Sequence, residues 1–300
     1  MKWRKGQEKR RCERTNEQTS KLTNKRTNKL INKRTNEQHE VHKLNVISFV
    51  NQKGGVGKTT SAINTATMLS VAKHRVLLID LDPQGSSTSG VGVLKSKAKN
   101  TSYEVLVGAV DIRDAIIETA FPNLSLIASN VSLAAADYEL TTEPEREFFL
   151  KKQLKKLEEN DLFDYIIIDC PPSIGLITIN ALSASNSIII PLQCEYYALE
   201  GLTQLMWTYK KVKELYNPKL SILGMLVTMF NSRLKICNQV LEELNEHYGY
   251  LLFDTKISRA VSLCEAPSYG EPIYYYAKYS KPSLEYGALA KEVISRTGGF

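Results

Sequence analysis

The sequence predicts a single α/β domain, a doubly wound and mostly parallel sheet with helices on both faces, preceded by a low-complexity basic tail. Three observations support this fold class. From Asn45 onward short β-branched runs alternate with segments of helical period, the runs are apolar throughout, and no Pro-, Gly- or Ser-rich linker interrupts residues 45–300. Apolar strands that alternate with helices are typical of a parallel sheet covered on both faces.

The predicted elements follow one another along this domain. Six runs are predicted as strands: Val46–Val50, Arg75–Ile79, Leu124–Ala128, Tyr165–Ile168, Ser187–Leu192 and Ile222–Thr228. Six segments are predicted as helices: Thr59–Lys73, Glu145–Glu159, Thr178–Ser185, Leu199–Tyr216, Ile236–Tyr248 and Pro282–Ser295. None of the apolar runs approaches the ~20 residues of a membrane span, so a membrane protein is excluded.

Residues 1–44 differ in composition from the rest of the chain. They hold 14 of the 39 Lys and Arg residues but only 5 of the 32 Asp and Glu residues, so the tail carries +9 and the remainder −2. The segment Lys21–Asn28 repeats at Lys29–Asn36 with one change. Such a polar repeat has little to bury and is predicted to be disordered. Three interpretations remain open: a basic arm that adds nonspecific attraction to DNA, a solvated appendage without function, or a start codon assigned too far upstream.

The tail also bears on location and partners. It has no apolar stretch of the kind that opens a secretory signal, and the five cysteines of the chain are scattered without metal-like spacing. Both features favour a cytoplasmic protein with reduced thiols. Because the tail alone makes the charge basic, DNA binding by the folded part needs a local basic patch.

A glycine-rich loop joins the first predicted strand to the first predicted helix. It reads Asn51-Gln-Lys-Gly-Gly-Val-Gly-Lys-Thr-Thr60. Its three glycines allow backbone N–H groups to approach phosphate oxygens, and the following helix adds the partial positive charge of its N-terminus. This strand–loop–helix context predicts a phosphate-binding loop.

Two side chains of the loop are suited to nucleotide chemistry. Lys58 can neutralise the β- and γ-phosphate oxygens, and the Thr59 hydroxyl can bind Mg²⁺. The loop departs from the usual pattern G-x-x-x-x-G-K-[ST], because Gln52 occupies the place of the first glycine and Lys53 precedes the glycine pair.

Aspartates end two of the predicted strands. Asp169 follows Tyr165–Ile168 and is suited to hold a magnesium-bound water beside the γ-phosphate. Asp80 and Asp82 end the second strand, at the sheet edge where open α/β sheets bind ligands. Asp82 suits orienting or activating the attacking water, whereas Asp80 suits a structural role or indirect support of the metal.

These residues carry a family resemblance. Lys53–Thr60 resembles the deviant phosphate loop of the SIMIBI class of P-loop NTPases, which includes ParA/Soj, MinD and the nitrogenase iron protein. Four other segments resemble ParA/Soj specifically: Asp80–Gly85, Asp169–Ser173, Gln193–Gly201 and Glu265–Gly270. The resemblance covers about residues 45–296. It implies an ATPase of the partitioning type, with ATP and Mg²⁺ as ligands and slow intrinsic turnover.

The resemblance also implies residue roles. Two ATP-bound subunits would face each other, and Lys53 would reach the phosphates of the opposite subunit. The implied catalytic residues are Lys53, Lys58 and Asp82, and the implied magnesium ligands are Thr59 and, through water, Asp169. The implied nucleotide-binding residues are Lys53, Gly54, Gly55, Val56, Gly57, Lys58, Thr59, Thr60 and, for adenine, Asn231.

DNA binding is the second activity that the resemblance implies. Arg233 matches a position where Soj-like members carry a DNA-contacting arginine, and Lys235 lies close by in sequence. Relatives commonly carry a proline and an arginine where this chain has Ser258 and Ser262. The loss of one phosphate contact lowers the slope of log affinity against log salt by about 0.9. The implied partners are nonspecific double-stranded DNA, a ParB-like centromere-binding protein and a second copy of the chain, with the nucleoid as the location.

Two other functions on the same scaffold are weighed against partitioning. A MinD-like or other SIMIBI-class ATPase would position a cargo other than DNA, but the segment Ala290–Phe300 lacks the broad apolar face of a membrane-binding helix. A metabolic kinase or synthetase would form a stoichiometric phosphorylated product, and the segments Asp82–Gly85 and Glu265–Ser268 argue against it.

Overall fold

The computed structural model describes residues 44–195 and 198–298. Its centre is a seven-stranded sheet, with strands β1 Asn45–Phe49, β2 Val76–Asp80, β3 Ile116–Glu118, β4 Leu124–Ile127, β5 Tyr165–Asp169, β6 Ser187–Gln193 and β7 Ser221–Thr228. The strand order is β3-β4-β2-β5-β1-β6-β7. Every neighbouring pair is parallel except β3 and β4. The predicted mostly parallel sheet is confirmed, whereas residues 1–43 of the predicted tail lie outside the described residues.

The α-helices of the described residues fall between and after these strands. They are α1 Lys58–Val71, α2 Ser86–Gly90, α3 Ser102–Leu106, α4 Ala136–Glu139, α5 Phe149–Glu158, α6 Leu176–Ala184, α7 Ala198–Leu215, α8 Lys235–Tyr248, α9 Ser262–Glu265, α10 Ile273–Tyr276 and α11 Lys281–Thr297.

The sheet separates two apolar cores. Along β1, Val46 belongs to one core and Ile47 and Phe49 belong to the other, because successive side chains of a strand point to opposite faces. Helices α5, α6, α7 and α8 contribute to the first core, and α1 and α11 to the second. The helices therefore cover both faces, as the sequence predicts.

Helix α11 buries its apolar face in the second core. Tyr286, Leu289 and Val293 are at most 1% exposed. This packing accounts for the apolar residues of the last helix. Among the described helices, none combines the length and the apolar character that crossing a membrane requires.

The short helices α2, α3, α4, α9 and α10 are absent from the prediction, and two further local features differ from it. Strand β3 is absent from the prediction, because its three partly exposed residues are too few to show a period. The helix predicted over Glu145–Glu159 begins only at Phe149. Glu145 has φ 53°, and a 3₁₀ turn at Arg146–Phe148 precedes the helix. A left-handed residue cannot continue into a right-handed helix, so the helix starts after it.

The register of the central strands sets the position of the site. Phe49 of β1 and Asp80 of β2 both pair with Asp169 of β5. The carboxyl ends of these three strands therefore lie level with one another. The loop after β1 and the acidic residues of β2 and β5 meet at one edge of the sheet.

At the opposite edge, Asp164 ties the starts of β2 and β5 together. Its carboxylate accepts the backbone N–H of Arg75 at 2.7 Å and the Nη2 of the same residue at 2.6 Å. We expect Asp164→Ala to lower the free energy of unfolding by about 2 kcal/mol, because charged hydrogen bonds are lost. Urea unfolding measures this loss. As a control, Glu214→Ala breaks only an exposed ion pair with Lys211 and should cost under about 0.5 kcal/mol.

The effect of Asp164→Ala should depend on pH. Burial raises the pKa of Asp164, but the bonds and charge of Arg75 outweigh burial and hold it below 3.8. A carboxyl group with a lowered folded-state pKa stabilises the fold above its unfolded pKa and loses this contribution as the pH falls through its folded pKa. The difference between wild type and variant should therefore narrow below pH 3.8, and an equal difference at pH 7 and in acid would contradict this account.

Candidate active site

Hydrogen bonds of Asn51 fix the start of the glycine-rich loop between β1 and α1. The Asn51 amide donates to the carbonyl of Pro191 at 2.7 Å, and its side-chain oxygen accepts the N–H of Lys53 at 3.0 Å. Gly55 and Gly57 have φ of 74° and 82°, a conformation that favours glycine. Helix α1 starts directly after Gly57 without a side-chain cap. Because no N-cap side chain bonds to them, the first backbone N–H groups of α1 are available to bind phosphate.

Side chains from β6 and β7 support the same loop. The Thr228 hydroxyl donates to the carbonyl of Val56 at 2.7 Å, and the Gln193 amide donates to the carbonyl of Gly55 at 3.2 Å. The sequence motif that begins at Gln193 indicated a role near the site. Thr228 carried no such signal, because a threonine at a strand end has no distinctive pattern.

Lys58 lies under the loop. It is 6% exposed, and its ammonium donates to the carbonyl of Lys53 at 3.0 Å. Burial lowers the pKa of Lys58, whereas the charges of Asp169 and Asp82 and the nearby Cys170 thiol oppose this effect. The acidic groups of the site therefore surround Lys58, and the hydrogen bond to Lys53 fixes its ammonium group at the loop.

Asp80 has every side-chain oxygen bonded within the fold. Its Oδ2 accepts the N–H and the hydroxyl of Thr88, both at 2.7 Å, and its Oδ1 accepts the N–H of Asp82 at 3.1 Å. Burial raises the pKa of Asp80 to about 6, although the bonds from Thr88 favour the charged form. This geometry suits the structural role, because it fixes the start of α2 beneath the site.

Asp169 has one oxygen without a partner. Its Oδ2 accepts the Ser87 hydroxyl at 2.7 Å, whereas its buried Oδ1 has no hydrogen-bond partner within the described part of the chain. Burial, together with the Asp80 charge, raises the pKa of Asp169 to about 7, and the hydroxyls of Ser87 and Thr59 act against this rise. An unpartnered carboxylate oxygen in the interior is costly unless a donor or a cation meets it.

The donor set around Asp169 fits Mg²⁺ of the kind that arrives with a nucleotide. The described residues contain no group of three or more His, Cys, Asp or Glu side chains that could hold a metal by themselves. Magnesium in nucleotide sites needs only one or two protein oxygens, because water and phosphate complete its shell. The hydroxyl of Thr59 and, through water, the unpartnered Oδ1 of Asp169 are suited to this role.

Thr59 borders a cavity of about 320 Å³, whereas Asp169 is fully buried and is not part of the cavity lining. The predicted residues Lys58, Thr59 and Asp82 line it together, and Pro172 from the loop after β5 closes one side. Asp82 is 9% exposed, and its Oδ1 accepts the N–H of Gln84 at 2.8 Å. The cavity lining is Gly54, Gly55, Gly57, Lys58, Thr59, Thr60, Asp82, Gln84, Ser86, Pro172 and Met229. A larger groove of about 800 Å³, bordered by Leu44 and residues of α5, shares none of these residues.

Lys53 lies outside this cavity. Its ammonium contacts the Glu195 carboxylate of the same chain at 2.5 Å, and the two side chains are 38% and 56% exposed. The loop therefore carries one buried lysine and one exposed lysine that points away from its own phosphate site.

Arg233 and Asn231 border a second cavity of about 570 Å³. Asn231 accepts the N–H of Arg233 at 3.1 Å, so its side-chain oxygen forms a turn. The predicted DNA residue Lys235 begins α8 and is exposed, but it does not line this cavity. Three further cations border it: Lys256 and Arg259 belong to one segment, and Lys281 begins α11. No sequence motif joins these cations to Arg233, because they lie more than 20 residues further along the chain.

Ser258 is anchored in a way that a proline could not be. It donates its backbone N–H and its hydroxyl to Glu285, at 2.8 and 2.6 Å. Glu285 also faces Lys281 at 3.6 Å. Ser258, which stands where relatives commonly have proline, therefore links the segment after Lys256 to α11. This link lies beside the basic residues of the cavity.

The phosphate loop, its buried lysine and the carboxylates at the ends of β2 and β5 place this chain among the P-loop nucleoside triphosphatases. A family model described as an AAA domain matches residues 44–222. The sporulation initiation inhibitor protein Soj of Bacillus subtilis is 47% identical over 250 residues, covering 83% of this chain and 98% of that protein. The chromosome partitioning protein ParA of Caulobacter vibrioides is 42% identical over 253 residues, covering 84% and 95%.

A solved structure shares the fold of this chain. A protein of Mycobacterium smegmatis, described as a cobyrinic acid a,c-diamide synthase with bound ADP and magnesium, superposes with a TM-score of 0.75 at 34% identity. The match covers 85% of this chain and 96% of that one. On its sequence relatives, the chain belongs to the ParA/Soj family of partitioning ATPases.

Proposed function

We propose that this chain is an ATP-driven switch for DNA partitioning. Mg-ATP closes two subunits into a dimer, the dimer binds DNA without sequence preference, and hydrolysis stimulated by a ParB-like centromere-binding protein releases it. One observation carries the proposal: a phosphate loop with a buried lysine lies beside a carboxylate whose Oδ1 lacks a partner in the described chain. The names of two relatives, a chromosome partitioning protein ParA and a chromosome-partitioning ATPase Soj, support the partitioning role.

The geometry of the cavity supports the following residue roles. Lys58 and the loop amides hold the β- and γ-phosphates, while Thr59 and Asp169 hold Mg²⁺, Asp169 through water. The metal supplies positive charge against the phosphate oxygens when it is bound. Asp82, at the cavity wall, orients the attacking water and takes its proton. Burial of these groups strengthens each electrostatic contact, because little water competes with it.

Lys53 acts on the nucleotide of the opposite subunit. Its exposed ammonium points away from its own cavity, which supports a role in trans. Formation of the dimer then replaces the contact with Glu195 by contacts to phosphate oxygens. A cation delivered across an interface makes hydrolysis dependent on assembly.

Asn231 binds the adenine base of the nucleotide, and the basic residues around it bind DNA. Met229 lines the nucleotide cavity and Asn231 lines the neighbouring one, so the free amide of Asn231 is suited to adenine. Arg233, Lys256, Arg259 and Lys281 outnumber the two acids Asp254 and Glu285 in the same lining. Lys235 extends this basic surface. DNA contacts here place the chain on the nucleoid, with residues 45–300 as the ATPase domain and residues 1–44 as an accessory tail.

Binding to nonspecific duplex DNA tests the proposal. The full chain and a chain beginning at Asn45 are titrated across a salt series with ATP, ADP or no nucleotide. ATP-dependent, salt-sensitive binding by the shorter chain is the expected result. Arg233→Ala should then reduce the slope of log affinity against log salt by about 0.9, because one phosphate contact is lost. Binding by the full chain alone, whatever the nucleotide, would mean that the basic tail acts by itself.

The alternatives make different predictions in the same samples. A MinD-like ATPase would bind lipid vesicles in the presence of ATP and would ignore DNA, although the apolar face of α11 is already buried. A synthetase would consume ATP only with a second substrate that becomes phosphorylated or amidated.

A further inference from the structure

Helix α6 follows the loop after Asp169, and its first turn is held by a residue from elsewhere in the chain. Gly175 is the N-cap and supplies no side chain. The Asp137 carboxylate takes that place, since its Oδ1 accepts the N–H of Ile177 at 3.1 Å across 40 residues of sequence. A carboxylate is favoured there by the free amides and by the helix dipole.

The absence of a side chain at Gly175 makes room for this contact. A Cβ atom at Gly175 would lie 2.9 Å from Oδ2 and 3.1 Å from Oδ1 of Asp137. The φ of Gly175 is −94°, which any residue can adopt. Glycine is therefore needed here for the approach of the carboxylate, and not for the backbone conformation.

The loop between β5 and α6 is anchored at both ends. At the β5 end, the N–H of Cys170 donates to the carbonyl of Phe49 at 3.3 Å. At the α6 end, the Thr178 hydroxyl donates to the carbonyl of Ser173 at 2.6 Å, and Thr178 directly follows Ile177, which Asp137 contacts. Pro172, between these anchors, lines the nucleotide cavity. The position of this wall of the site therefore depends on where α6 begins.

We propose that Asp137 is a positioning residue for ATP hydrolysis. It does not line the nucleotide cavity, and it acts through Gly175 and Ile177 on the loop that follows Asp169. The inference rests on the role of Asp169 proposed above. A shift of a catalytic loop lowers the rate of the chemical step more than it weakens nucleotide binding, because binding is made mainly by the phosphate loop.

Steady-state phosphate release, well below the unfolding temperature, tests this role. Asp137→Ala should lower kcat about tenfold and change KM for ATP by less than about twofold. Asp137→Asn keeps an acceptor for the N–H of Ile177 and should retain more than about half of kcat. An unchanged kcat in Asp137→Ala would overturn the inference.

A double-variant cycle separates positioning from a general loss of stability. Gly175→Ala should reproduce the loss, because the added methyl group displaces the carboxylate. Once Asp137 is alanine the methyl group has space, so Asp137→Ala/Gly175→Ala should be no slower than either single variant. Losses in kcat that multiply in the double variant would contradict the proposed contact.

Two controls complete the test. Asp111 caps the turn Ile112–Ala115 by accepting the N–H of Arg113 at 3.0 Å, so Asp111→Ala removes a cap outside the loop. It should lower the melting temperature and leave kcat unchanged. Asp169→Ala should abolish turnover. If Asp169→Ala remains active, the role of Asp169 fails, whereas an inactive Asp169→Ala beside a normal Asp137→Ala rejects this inference alone.

Discussion

Lys58→Ala is expected to weaken ATP binding at least about 100-fold, or ~2.7 kcal/mol. The ammonium of Lys58 is the buried cation of the phosphate loop, and its charge meets the β- and γ-phosphates where little water screens it. The fold should survive the change, because burial already disfavours the charged form and lowers the pKa of Lys58. Titration with a fluorescent ATP analogue measures the affinity, and thermal unfolding checks the fold.

An exposed lysine provides the matched control for this prediction. Lys291 lies on the outer side of α11, and Lys291→Ala should leave the affinity for ATP unchanged. A dissociation constant for Lys58→Ala within about threefold of wild type would remove Lys58 from the phosphate site.

Asp82→Ala should bind ATP normally and hydrolyse it about 1000-fold more slowly. Asp82 lines the cavity but is not part of the phosphate loop, and loss of a general base lowers rates by about 10²- to 10⁴-fold. The ATP-bound state should therefore persist, and DNA binding should continue after ATP has been added once. Single-turnover phosphate release and the lifetime of the DNA complex measure both effects.

Asp82→Asn separates the catalytic role of this residue from its structural one. The asparagine keeps an oxygen that can accept the N–H of Gln84, as Asp82 does at 2.8 Å, but it cannot take a proton from water. The asparagine variant should be as inactive as the alanine variant. An active Asp82→Asn would show that the residue serves only as a turn former.

The residues that we propose as phosphate and metal contacts could be predicted because each lies in a contiguous pattern. Lys58 and Thr59 follow the glycines in the loop. Asp169 ends one apolar strand and Asp82 follows the end of another by two residues, at a predictable edge of the sheet. The supporting residues could not be predicted in this way. Thr228 reaches the loop from a strand 172 residues away. A threonine at a strand end gives no periodic or spacing signal.

The contact of Asp137 with α6 and the basic cavity around Arg233 could not be predicted from the sequence for the same reason. Asp137 lies on a short helix without a motif, and only the three-dimensional fold brings it to Gly175. Lys256 and Lys281 join Arg233 because separate segments pack side by side. The family resemblance identifies Arg233 from the sequence, but Arg233 is only one residue of this larger basic surface. Side-chain clusters assembled from distant segments depend on packing, which local propensity does not encode.

The strand order has a consequence for the synthesis of this protein on the ribosome. Strand β1 is the first to be made, but it lies between β5 and β6, and Asn45 pairs with Tyr165. The phosphate loop also depends on Gln193 and Thr228, which emerge later still. Such long-range pairing slows folding and leaves apolar strands uncovered during translation. A nascent chain that stops before Thr228 therefore lacks part of the support of the phosphate loop, so ATP should stabilise best a chain that extends at least to Thr228.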